Sequence, residues 1–418
     1  MKHIFYNILL ILVSPIVMMY LVVRPQYRAM IGRFSPDHSS VSRDPIWVQA
    51  ASVGEVLTAK PILEALEQAY PDAPILLTTG TVTGMEEAKK WEYTFQVAWF
   101  PFDHPFSVSK FFNRIQPRCL ILIETELWPN VLNKAHQYQV PVMIINGRLS
   151  EKNFVKYEKC KGFFKRYLAP IQLAAMQTQL DADRILQLGV KTESIELTGN
   201  VKFDGADLTA DESKANQLRE ELGIQPDTPL LVVGSTRPGE EALIESVWRR
   251  FKQENPECCL IVAPRHIKRL NEAAEPFGGY KKHYRSQIAQ SELIIGPEDI
   301  LFLDTLGELK LLYSLATVAV MGGSFNESVQ GHNPIESAAL GIPTVFGPHM
   351  KNFLQPASIL TECGGARQVK DSEELLVVLL ELFNNDELQQ SIGKKGQQAV
   401  RDNQGAVSHT IELIKRIM

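Results

Sequence analysis

The chain has 418 residues, of which 45% are hydrophobic and 22% are charged, a globular composition with enough length for two hydrophobic cores. The formal net charge of −5 gives no basic excess, so the composition argues against nucleic acid as a partner. The 5 cysteines are odd in number and contain no C-x-x-C pair, which argues against a disulfide framework and a cysteine zinc site.

The first predicted element is an apolar helix from Ile4 to Val23. At about 1.5 Å per residue this segment just crosses a hydrocarbon core of about 30 Å. Asn7 and Ser14 are polar interruptions, and Pro15 leaves open a kinked helix that lies in one leaflet instead of spanning. The alternative is that this segment is a buried core helix and that the protein has no membrane anchor.

Basic residues follow this helix. Arg24, Arg28 and Arg33 come after the apolar segment, and Lys2 precedes it. This bias predicts that the following domain stays on the cytoplasmic side, where the arginines would attract anionic lipid. The segment lacks the short apolar core and cleavage site of a secretory signal. We therefore expect a membrane anchor.

Short apolar segments then alternate with amphipathic ones. Near-continuous apolar strands of this length are typical of a parallel sheet that is buried on both faces. The alternation predicts a doubly wound α/β domain. The predicted strands are Ile46–Ala51, Ile75–Thr79, Val97–Phe100, Cys119–Ile123, Val142–Asn146 and Leu173–Gln177, and the predicted helices are Val56–Ala69, Thr83–Glu92, Pro105–Ile115 and Pro129–Tyr138.

A polar stretch, Asp204–Ser213, interrupts the alternation and predicts a linker. A second α/β series follows it, so we expect two domains that face each other across a cleft. The final stretch, 388–418, predicts one or two surface helices. In the second series the strands are Leu230–Gly234, Leu260–Pro264, Ile300–Leu303, Val318–Gly322 and Pro343–Phe346, and the helices are Glu240–Phe251, Gly307–Leu315, Pro334–Leu340 and Glu373–Phe383.

Acidic residues follow two strands of the first series. Glu55 stands in the first turn of a helix that begins after strand Ile46–Ala51. Glu124 and Glu126 come directly after Cys119–Ile123, and in an extended chain they would share a face. Ligands bind at the carboxyl ends of strands in open α/β sheets, so these acids are candidates for catalysis or hydroxyl binding. The alternative is a favourable interaction with the helix dipole for Glu55, and helix capping for Glu124 and Glu126.

A lysine, Lys202, closes the first domain within the segment GNVKFD, 199–204. A lysine in a cleft supplies a point charge for a carboxylate or phosphate. The alternative is a solvated hinge residue.

The second series carries loops suited to an anion. Glycines at strand ends expose backbone N–H groups, and an arginine can hold phosphate oxygens in a bidentate fork. The candidates are Ser235 and Thr236 after one strand, Arg265 after Pro264 of another, Gly323 and Ser324 after a third, and Glu336, which is placed to accept hydrogen bonds from ribose hydroxyls.

Two motifs are discounted. Asp181 and Asp183 form a D-x-D pattern, but Asp181 is expected to be the N-cap of the helix Asp181–Leu188, so we predict no metal there. The glycine loops match neither G-x-x-x-x-G-K-[ST] nor G-x-G-x-x-G, so the fingerprints of ATPases and NAD-dependent enzymes are missing.

A set of motifs in order along the chain resembles the transferases of 3-deoxy-D-manno-octulosonic acid (Kdo). The resemblance covers nearly the whole chain. The motifs are AASVGE at 50–55, TTGTVTG at 78–84, PFDHP at 101–105, ETELWPN at 124–130, NGRLS at 146–150, GNVKFD at 199–204, GSTRPGEE at 234–241, PRH at 264–266, DTLGEL at 304–309 and GHNPIE at 331–336.

The resemblance implies a GT-B glycosyltransferase fold with two Rossmann-like domains. It implies CMP-Kdo as a donor substrate, lipid IVA as the acceptor, inversion at the sugar and no metal or other cofactor. By position, Glu55 matches the proton acceptor, and Glu124 and Lys202 match transition-state stabilisers. The residues that match the CMP-binding segments are Pro264, Arg265, Leu306, Gly307, Glu308, Asn333, Pro334, Ile335 and Glu336.

The implied organisation is a membrane anchor at 1–36, an acceptor-binding domain at 37–204, a CMP-Kdo-binding domain at 205–387 and C-terminal helices at 388–418. The expected location is the cytoplasmic face of a bacterial inner membrane. Gln330 departs from the family, which usually has a glycine there, and the loop Ser324–Gln330 is one residue longer. Rival functions are a UDP-sugar transferase, a nucleotide-binding regulator without turnover and a soluble epimerase-like enzyme.

Overall fold

The structure, a computed structural model, describes residues 2–34, 41–91, 94–288 and 295–418. The predicted end of the anchor, at residue 36, lies outside them. Two units are found, the first comprising the chain up to Gly205 together with Gln404–Met418, and the second comprising Ala206–Asn403. The stretch 388–418, predicted as one C-terminal segment, is thus divided between the units.

The first unit is built on a parallel sheet of seven strands in the order β3-β2-β1-β4-β5-β6-β7. Its central strands are apolar and buried on both faces; every residue of β4 is buried. The strands are β1 Ile46–Gln49, β2 Ile75–Thr79, β3 Gln96–Trp99, β4 Cys119–Ile123, β5 Val142–Gly147, β6 Leu173–Met176 and β7 Ile195–Leu197.

Helices cover both faces of this sheet, and the last of them returns from the end of the chain to pack on α2. Asp204 holds that returning helix, because its carboxylate accepts hydrogen bonds from the N–H groups of Gly405 (2.9 Å) and Val407 (2.6 Å). The helices are α1 Lys2–Val23, α2 Val53–Ala69, α3 Val82–Ala88, α4 Pro105–Ile115, α5 Pro129–Gln137, α6 Glu151–Lys159, α7 Lys161–Leu168, α8 Gln179–Leu188 and, numbered in chain order, α18 Ala406–Ile417, with 3-10 helices at Pro25–Arg33, Thr192–Ser194 and Val201–Phe203.

The second unit repeats this architecture with a parallel sheet in the order β10-β11-β9-β8-β12-β13-β14. Its strands are β8 Leu230–Thr236, β9 Cys259–Pro264, β10 Lys281–Tyr284, β11 Asp299–Phe302, β12 Val318–Met321, β13 Thr344–Phe346 and β14 Ala366–Gln368. Its helices are α9 Glu212–Glu221, α10 Glu240–Glu254, α11 Leu270–Ala274, α12 Arg285–Ile288, α13 Leu309–Leu315, α14 Ile335–Ala339, α15 Leu354–Glu362, α16 Ser372–Phe383 and α17 Asp386–Asp402, with 3-10 helices at Ile267–Arg269, Glu275–Phe277 and Lys351–Phe353.

The predicted strands are all present, within one or two residues of their expected bounds. Three strands were not predicted: β7, β10 and β14. Each lies at the edge of its sheet and is partly exposed, so it lacks the continuous apolar run that marks a strand buried on both faces. The two parallel sheets with flanking helices confirm the predicted pair of Rossmann-like domains.

Candidate active site

The catalytic residues predicted in the first unit meet where the strand order of its sheet reverses. This reversal lies between β1 and β4, which pair in parallel with Ile46 opposite Cys119. Ligands bind beyond the carboxyl ends of the strands at such a switch point. Glu55 follows β1, and Glu124 and Glu126 follow β4.

The start of α2 holds the Glu55 carboxylate in place. Ser52 is the N-cap of α2, and its hydroxyl donates to Oε1 of Glu55 at 3.0 Å. The N–H of Ala51 donates to Oε2 at 2.7 Å. Each carboxylate oxygen can accept a further hydrogen bond, so Glu55 fixes the helix end and still has lone pairs for a substrate hydroxyl.

The surroundings of Glu55 favour its protonated form. Burial is the largest cause, and the negative charges of Glu126 and Glu124 add to it, so that the pKa of Glu55 rises to about 7. The hydrogen bond from Ala51 acts in the opposite direction. A general base is most effective when its pKa lies near the working pH. Glu55 therefore has the basicity required for proton abstraction near neutrality.

The backbone at Glu124 differs from the prediction. Its φ is 59°, in the left-handed region, so Glu124 and Glu126 are not alternate residues of an extended chain. A non-glycine residue in such a conformation costs about 1–3 kcal/mol and is typical of functional sites. The Glu124 carboxylate accepts a hydrogen bond from Nη2 of Arg148 at 3.2 Å, and the Thr125 hydroxyl donates to the Arg148 carbonyl at 2.6 Å.

Glu126 is the second acid beside Glu55. Its Oε2 accepts a hydrogen bond from Nε1 of Trp128 at 2.7 Å. Burial raises the pKa of Glu126, and the positive charge of Arg33 opposes this rise. Glu126 is the largest charge contribution to the raised pKa of Glu55, so these two acids share one electrostatic environment.

A chain of amides positions Lys202. The Asn200 side-chain oxygen accepts from the N–H of Lys202 at 3.0 Å, and that of Asn146 accepts from the N–H of Val201 at 3.1 Å. Gln177 in turn accepts from the Asn200 amide at 3.1 Å. Burial lowers the pKa of the Lys202 ammonium, and Glu124 opposes that change. Lys202 is therefore a desolvated cation beside Glu124.

Four residues of this site were not predicted from the sequence: Asn146, Arg148, Gln177 and Asn200. Three of them could have been identified from the sequence as site candidates, because Asn146, Arg148 and Gln177 stand at or just after the carboxyl ends of predicted strands. Arg33 was predicted to face lipid, and this is wrong. Its side chain is buried and donates to the carbonyls of Phe100 (2.8 Å) and Gly80 (2.7 Å).

The switch point of the second sheet lies between β8 and β12. The loops that follow these strands approach closely: a Cβ on Gly322 would lie 2.6 Å from the carbonyl oxygen of Ser235. Only glycine fits there. Ser235 itself has φ of 61° and is partly exposed, so the backbone turns at the carboxyl end of β8.

The buried carboxylate of Glu240 joins these loops. It accepts hydrogen bonds from the N–H groups of Gly323 (2.6 Å), Phe325 (2.9 Å) and Arg237 (2.9 Å). Burial raises the pKa of Glu240, and the three N–H donors oppose the rise. Glu240 lies in the motif GSTRPGEE but was not predicted to be a site residue.

Two hydroxyls of the predicted phosphate loop are bonded within the protein. The hydroxyl of Thr236 is buried and donates to Glu241 at 2.8 Å. The hydroxyl of Ser324 is also buried, and it accepts from the N–H of Gly347 at 2.7 Å. Both side chains stabilise the loops from inside. The N–H of Gly323 is bonded to Glu240, whereas Ser235 is partly exposed, and direct phosphate contact by this loop stays a prediction.

Cationic side chains gather beside these loops. Arg237 donates through Nε to His332 at 3.1 Å and contacts Nε2 of His266 at 2.8 Å. Burial, followed by the charges of Arg237 and Arg265, lowers the pKa of His332 to about 4. Arg265 is exposed and stands directly after buried Pro264, with its N–H on the Thr236 carbonyl at 3.1 Å. This arrangement suits an anion such as a phosphate.

The remaining predicted CMP-binding residues form two further loops. Leu306 is 85% exposed, and Gly307 has φ of 88°, so this turn presents its backbone. The side chain of Glu308 is already engaged within the protein, because its carboxylate accepts a hydrogen bond from Nη2 of Arg285 at 2.8 Å.

In the second loop, Asn333 donates to Glu336 at 3.2 Å and accepts from the N–H of Ile335 at 3.1 Å. Burial raises the pKa of Glu336, and Arg265 opposes the rise, which places this acid near the cationic cluster. Pro334 and Ile335 are buried and support the start of α14. Glu336 retains an oxygen that can accept from a hydroxyl.

The D-x-D pattern lies at the start of α8, but its N-cap is Thr178 and not Asp181 as predicted. Asp181 is buried and accepts from the N–H of Leu149 at 2.8 Å. Asp183 accepts from the side chain of Gln179 at 2.8 Å. Both carboxylates are therefore used in structural hydrogen bonds.

Comparison with known proteins gives the same family from independent matches. Residues 26–205 match the family model described as 3-deoxy-D-manno-octulosonic-acid transferase (kdotransferase). A 3-deoxy-D-manno-octulosonic acid transferase from Haemophilus influenzae is 32% identical over 99% of this chain and 98% of its own length. The corresponding protein from Bordetella pertussis is 31% identical over 93% of this chain and 90% of its own length.

Solved structures with the same fold are more distant in sequence. The UDP-GlcNAc 2-epimerase of Neisseria meningitidis covers 89% of this chain with a TM-score of 0.60 and 12% identity, and all of that structure is matched. A glycosyltransferase from Rickettsia africae covers 90% of this chain and 99% of its own, with a TM-score of 0.59 and 11% identity. With the two parallel seven-stranded sheets of a GT-B fold and its full-length relatives, this chain belongs to the Kdo transferase family of lipopolysaccharide biosynthesis.

Proposed function

We propose that the protein transfers Kdo from CMP-Kdo to the lipid A precursor lipid IVA, with release of CMP and inversion at the sugar. The proposed location is the cytoplasmic face of the inner membrane, where α1 attaches the enzyme. The observation that carries the proposal is Glu55, a partly buried carboxylate at the switch point of the first sheet, held by Ser52 and Ala51, whose pKa is about 7.

In the proposed reaction a glucosamine hydroxyl oxygen bonds to C2 of Kdo. Glu55 accepts the hydroxyl proton as this bond forms, because a neutral sugar hydroxyl is a poor nucleophile. The bond between C2 and the phosphate oxygen breaks, and its electron pair leaves with CMP from the opposite face. A single displacement of this kind inverts the configuration at C2.

The charged neighbours of Glu55 stabilise the charges that develop. C2 acquires oxocarbenium character, and the Glu124 carboxylate is placed to stabilise that positive charge. The Lys202 ammonium holds the Kdo carboxylate or the departing phosphate. In the second unit, Arg265 balances the charge on the phosphate of CMP, and Glu336 accepts a ribose hydroxyl. These groups supply the positive charge without a metal.

Purified protein in detergent tests the choice of donor. We would measure release of CMP from freshly generated CMP-Kdo with lipid IVA present, in buffer that contains EDTA, and compare it with turnover of UDP-sugars. The proposal expects CMP release that depends on lipid IVA and persists in EDTA. Turnover with a UDP-sugar alone would overturn the proposed donor, and complete loss in EDTA would overturn metal independence.

Replacing Arg265 by alanine is expected to raise the Kd for CMP by about 10- to 100-fold, because a charge-assisted contact to phosphate is lost. Isothermal titration with CMP measures this directly. Arg249→Ala is the matched control, since Arg249 is an exposed residue of α10 that lies 4.0 Å from Glu245. An unchanged Kd in Arg265→Ala would remove Arg265 from the proposed site.

Replacing Glu240 by glutamine is expected to raise KM for CMP-Kdo by about 10-fold or more and to lower the Tm. The NH2 group of glutamine replaces one carboxylate oxygen and faces the N–H of either Gly323 or Phe325, so at least one of the three hydrogen bonds is lost. Glu245→Gln in the same helix is the control. A variant with a lower Tm but an unchanged KM would show that Glu240 stabilises the unit without positioning the donor loops.

A further inference from the structure

One face of α1 is less exposed than the rest of the helix. The partly or fully buried residues recur three or four positions apart, which places them on a single side. The other residues from Ile4 to Val23 are exposed. The residues of this docked face are His3, Tyr6, Asn7, Leu10, Ser14, Val17 and Leu21.

The beginning of α1 is bound to the first unit by polar contacts. The Tyr6 hydroxyl donates to Oδ2 of Asp103 at 2.8 Å, and Asp103 is buried. The side chain of Asn130 donates to Oδ1 of Asn7 at 2.8 Å. The hydroxyl of Tyr167 lies 2.6 Å from Nδ1 of His3, and Tyr6 also packs on Phe163 with 5.6 Å between ring centroids.

The end of α1 is followed by a segment that is bound to the same unit. Leu21 is 4% exposed, and the 3-10 helix Pro25–Arg33 follows at once. Arg28 in that helix donates to the Val22 carbonyl at 2.9 Å. Buried Arg33 then ties the segment to the carbonyls of Phe100 and Gly80. The start of α1 and the 3-10 helix that follows its end are therefore both bound to the first unit.

A helix that crosses a membrane cannot satisfy these contacts. The 22 residues of α1 span about 33 Å, close to the thickness of a hydrocarbon core of about 30 Å. In a spanning orientation, His3, Tyr6 and Asn7 would lie on the far side of the bilayer from their partners. We propose that α1 instead lies along one leaflet, with its docked face on the first unit and its opposite face in the acyl chains. This rests on the proposed membrane location of the enzyme.

The exposed face of α1 is suited to acyl chains. It consists of large apolar side chains, and the exposed Arg24 and Arg28 follow it at the level expected for anionic headgroups. Pro15 cannot donate to the Ile11 carbonyl, but the Ser14 hydroxyl does so at 2.9 Å. The hydrogen bond from Ser14 matters in lipid, where an unpaired carbonyl costs several kcal/mol. The most exposed side chains of this face include Ile4, Phe5, Leu12, Ile16, Met19 and Val23.

The sidedness of the helix start tests this proposal. A protease-cleavable tag placed before Met1 of the full chain would be probed in sealed spheroplasts and in inverted inner-membrane vesicles, beside the same tag after Met418. We expect both tags to be cleaved in inverted vesicles and protected in spheroplasts. Cleavage of the first tag in spheroplasts would overturn the proposal while leaving the membrane location intact. Recovery of the protein in the soluble fraction would overturn both.

Cross-linking tests the docked face itself. In a background of Cys160→Ser and Cys363→Ser, which removes the two exposed thiols, the pair Asn7→Cys and Asn130→Cys would be treated with a short bismaleimide in membranes. We expect an intramolecular cross-link for this pair and none for the control pair Leu12→Cys and Asn130→Cys. Equal yields from the two pairs would contradict docking of α1. Transfer of Kdo, measured on the same membranes, reports the proposed function separately.

Discussion

Replacing Glu55 by glutamine is expected to lower kcat by about 10²- to 10⁴-fold and to leave the Kd for CMP nearly unchanged. Glutamine has the size of glutamate and can still accept the hydrogen bond from Ala51, but it cannot take a proton from the acceptor hydroxyl. Stopped assays of CMP release measure kcat, and titration with CMP measures the Kd.

Glu64→Gln is the matched control for this variant. Glu64 is also in α2, nine residues further along and therefore on the opposite side of the helix. It should retain full activity. If Glu55→Gln kept more than a few per cent of the activity of the wild type, Glu55 would not be the proton acceptor.

The pH dependence provides a second test of Glu55. The carboxylate is the active form of a proton acceptor, and the pKa of Glu55 is about 7. We therefore expect kcat/KM to be low below about pH 7, where Glu55 is protonated, and to rise to a plateau above it. Glu126→Gln removes the neighbouring negative charge that contributes to this pKa, so the acidic limb of the profile should move to lower pH. A limb that stays in place would contradict the electrostatic link between the two acids.

Replacing Lys202 by methionine is expected to lower kcat by about 10²- to 10³-fold, the loss usual for one preorganised group that stabilises charge in the transition state. Methionine fills a similar volume without the ammonium group. Burial lowers the pKa of this ammonium, and such a desolvated charge interacts strongly with a carboxylate or phosphate.

Lys191→Met is the control, because Lys191 is an exposed lysine of the same unit. Separate determination of kcat and of KM for CMP-Kdo shows where Lys202 acts. A fall in kcat is expected for transition-state stabilisation. A rise in KM with an unchanged kcat would mean that Lys202 binds the ground state of the donor equally well.

The fold could be predicted from the sequence because its central strands are buried on both faces. Apolar runs such as Cys119–Ile123 and Val142–Gly147 are easily recognised, and their alternation with helices specifies a parallel sheet. The edge strand β10, with sequence KKHY, has no such run. Its position follows from pairing with β11, which is a long-range contact that local pattern does not contain.

The candidate site could be predicted in part. Acids directly after strands gave Glu55 and Glu124, since the carboxyl ends of parallel strands meet at one edge. The left-handed conformation of Glu124 could not be foreseen, because glutamate has no preference for it. The buried positions of the Thr236 and Ser324 hydroxyls depend on packing between distant segments, as in the bond from Gly347 to Ser324.

The positioning residues depend on tertiary structure in the same way. Glu240 stands at the start of α10, where an acid is usually explained by the helix dipole. Only the folded unit brings the N–H groups of Gly323 and Phe325 to its carboxylate. The contact of Tyr6 with Asp103 likewise joins residues 97 positions apart, so the attachment of the start of α1 to the first unit is not contained in the local pattern.

The most direct test of the central claim is mass spectrometry of the reaction product. Purified protein in detergent would be incubated with lipid IVA and freshly generated CMP-Kdo, with Glu55→Gln in parallel. The account predicts that lipid IVA gains the mass of one or more Kdo residues with the wild type and gains none with the variant. Lipid IVA of unchanged mass, in a preparation that still binds CMP, would contradict the proposed transfer.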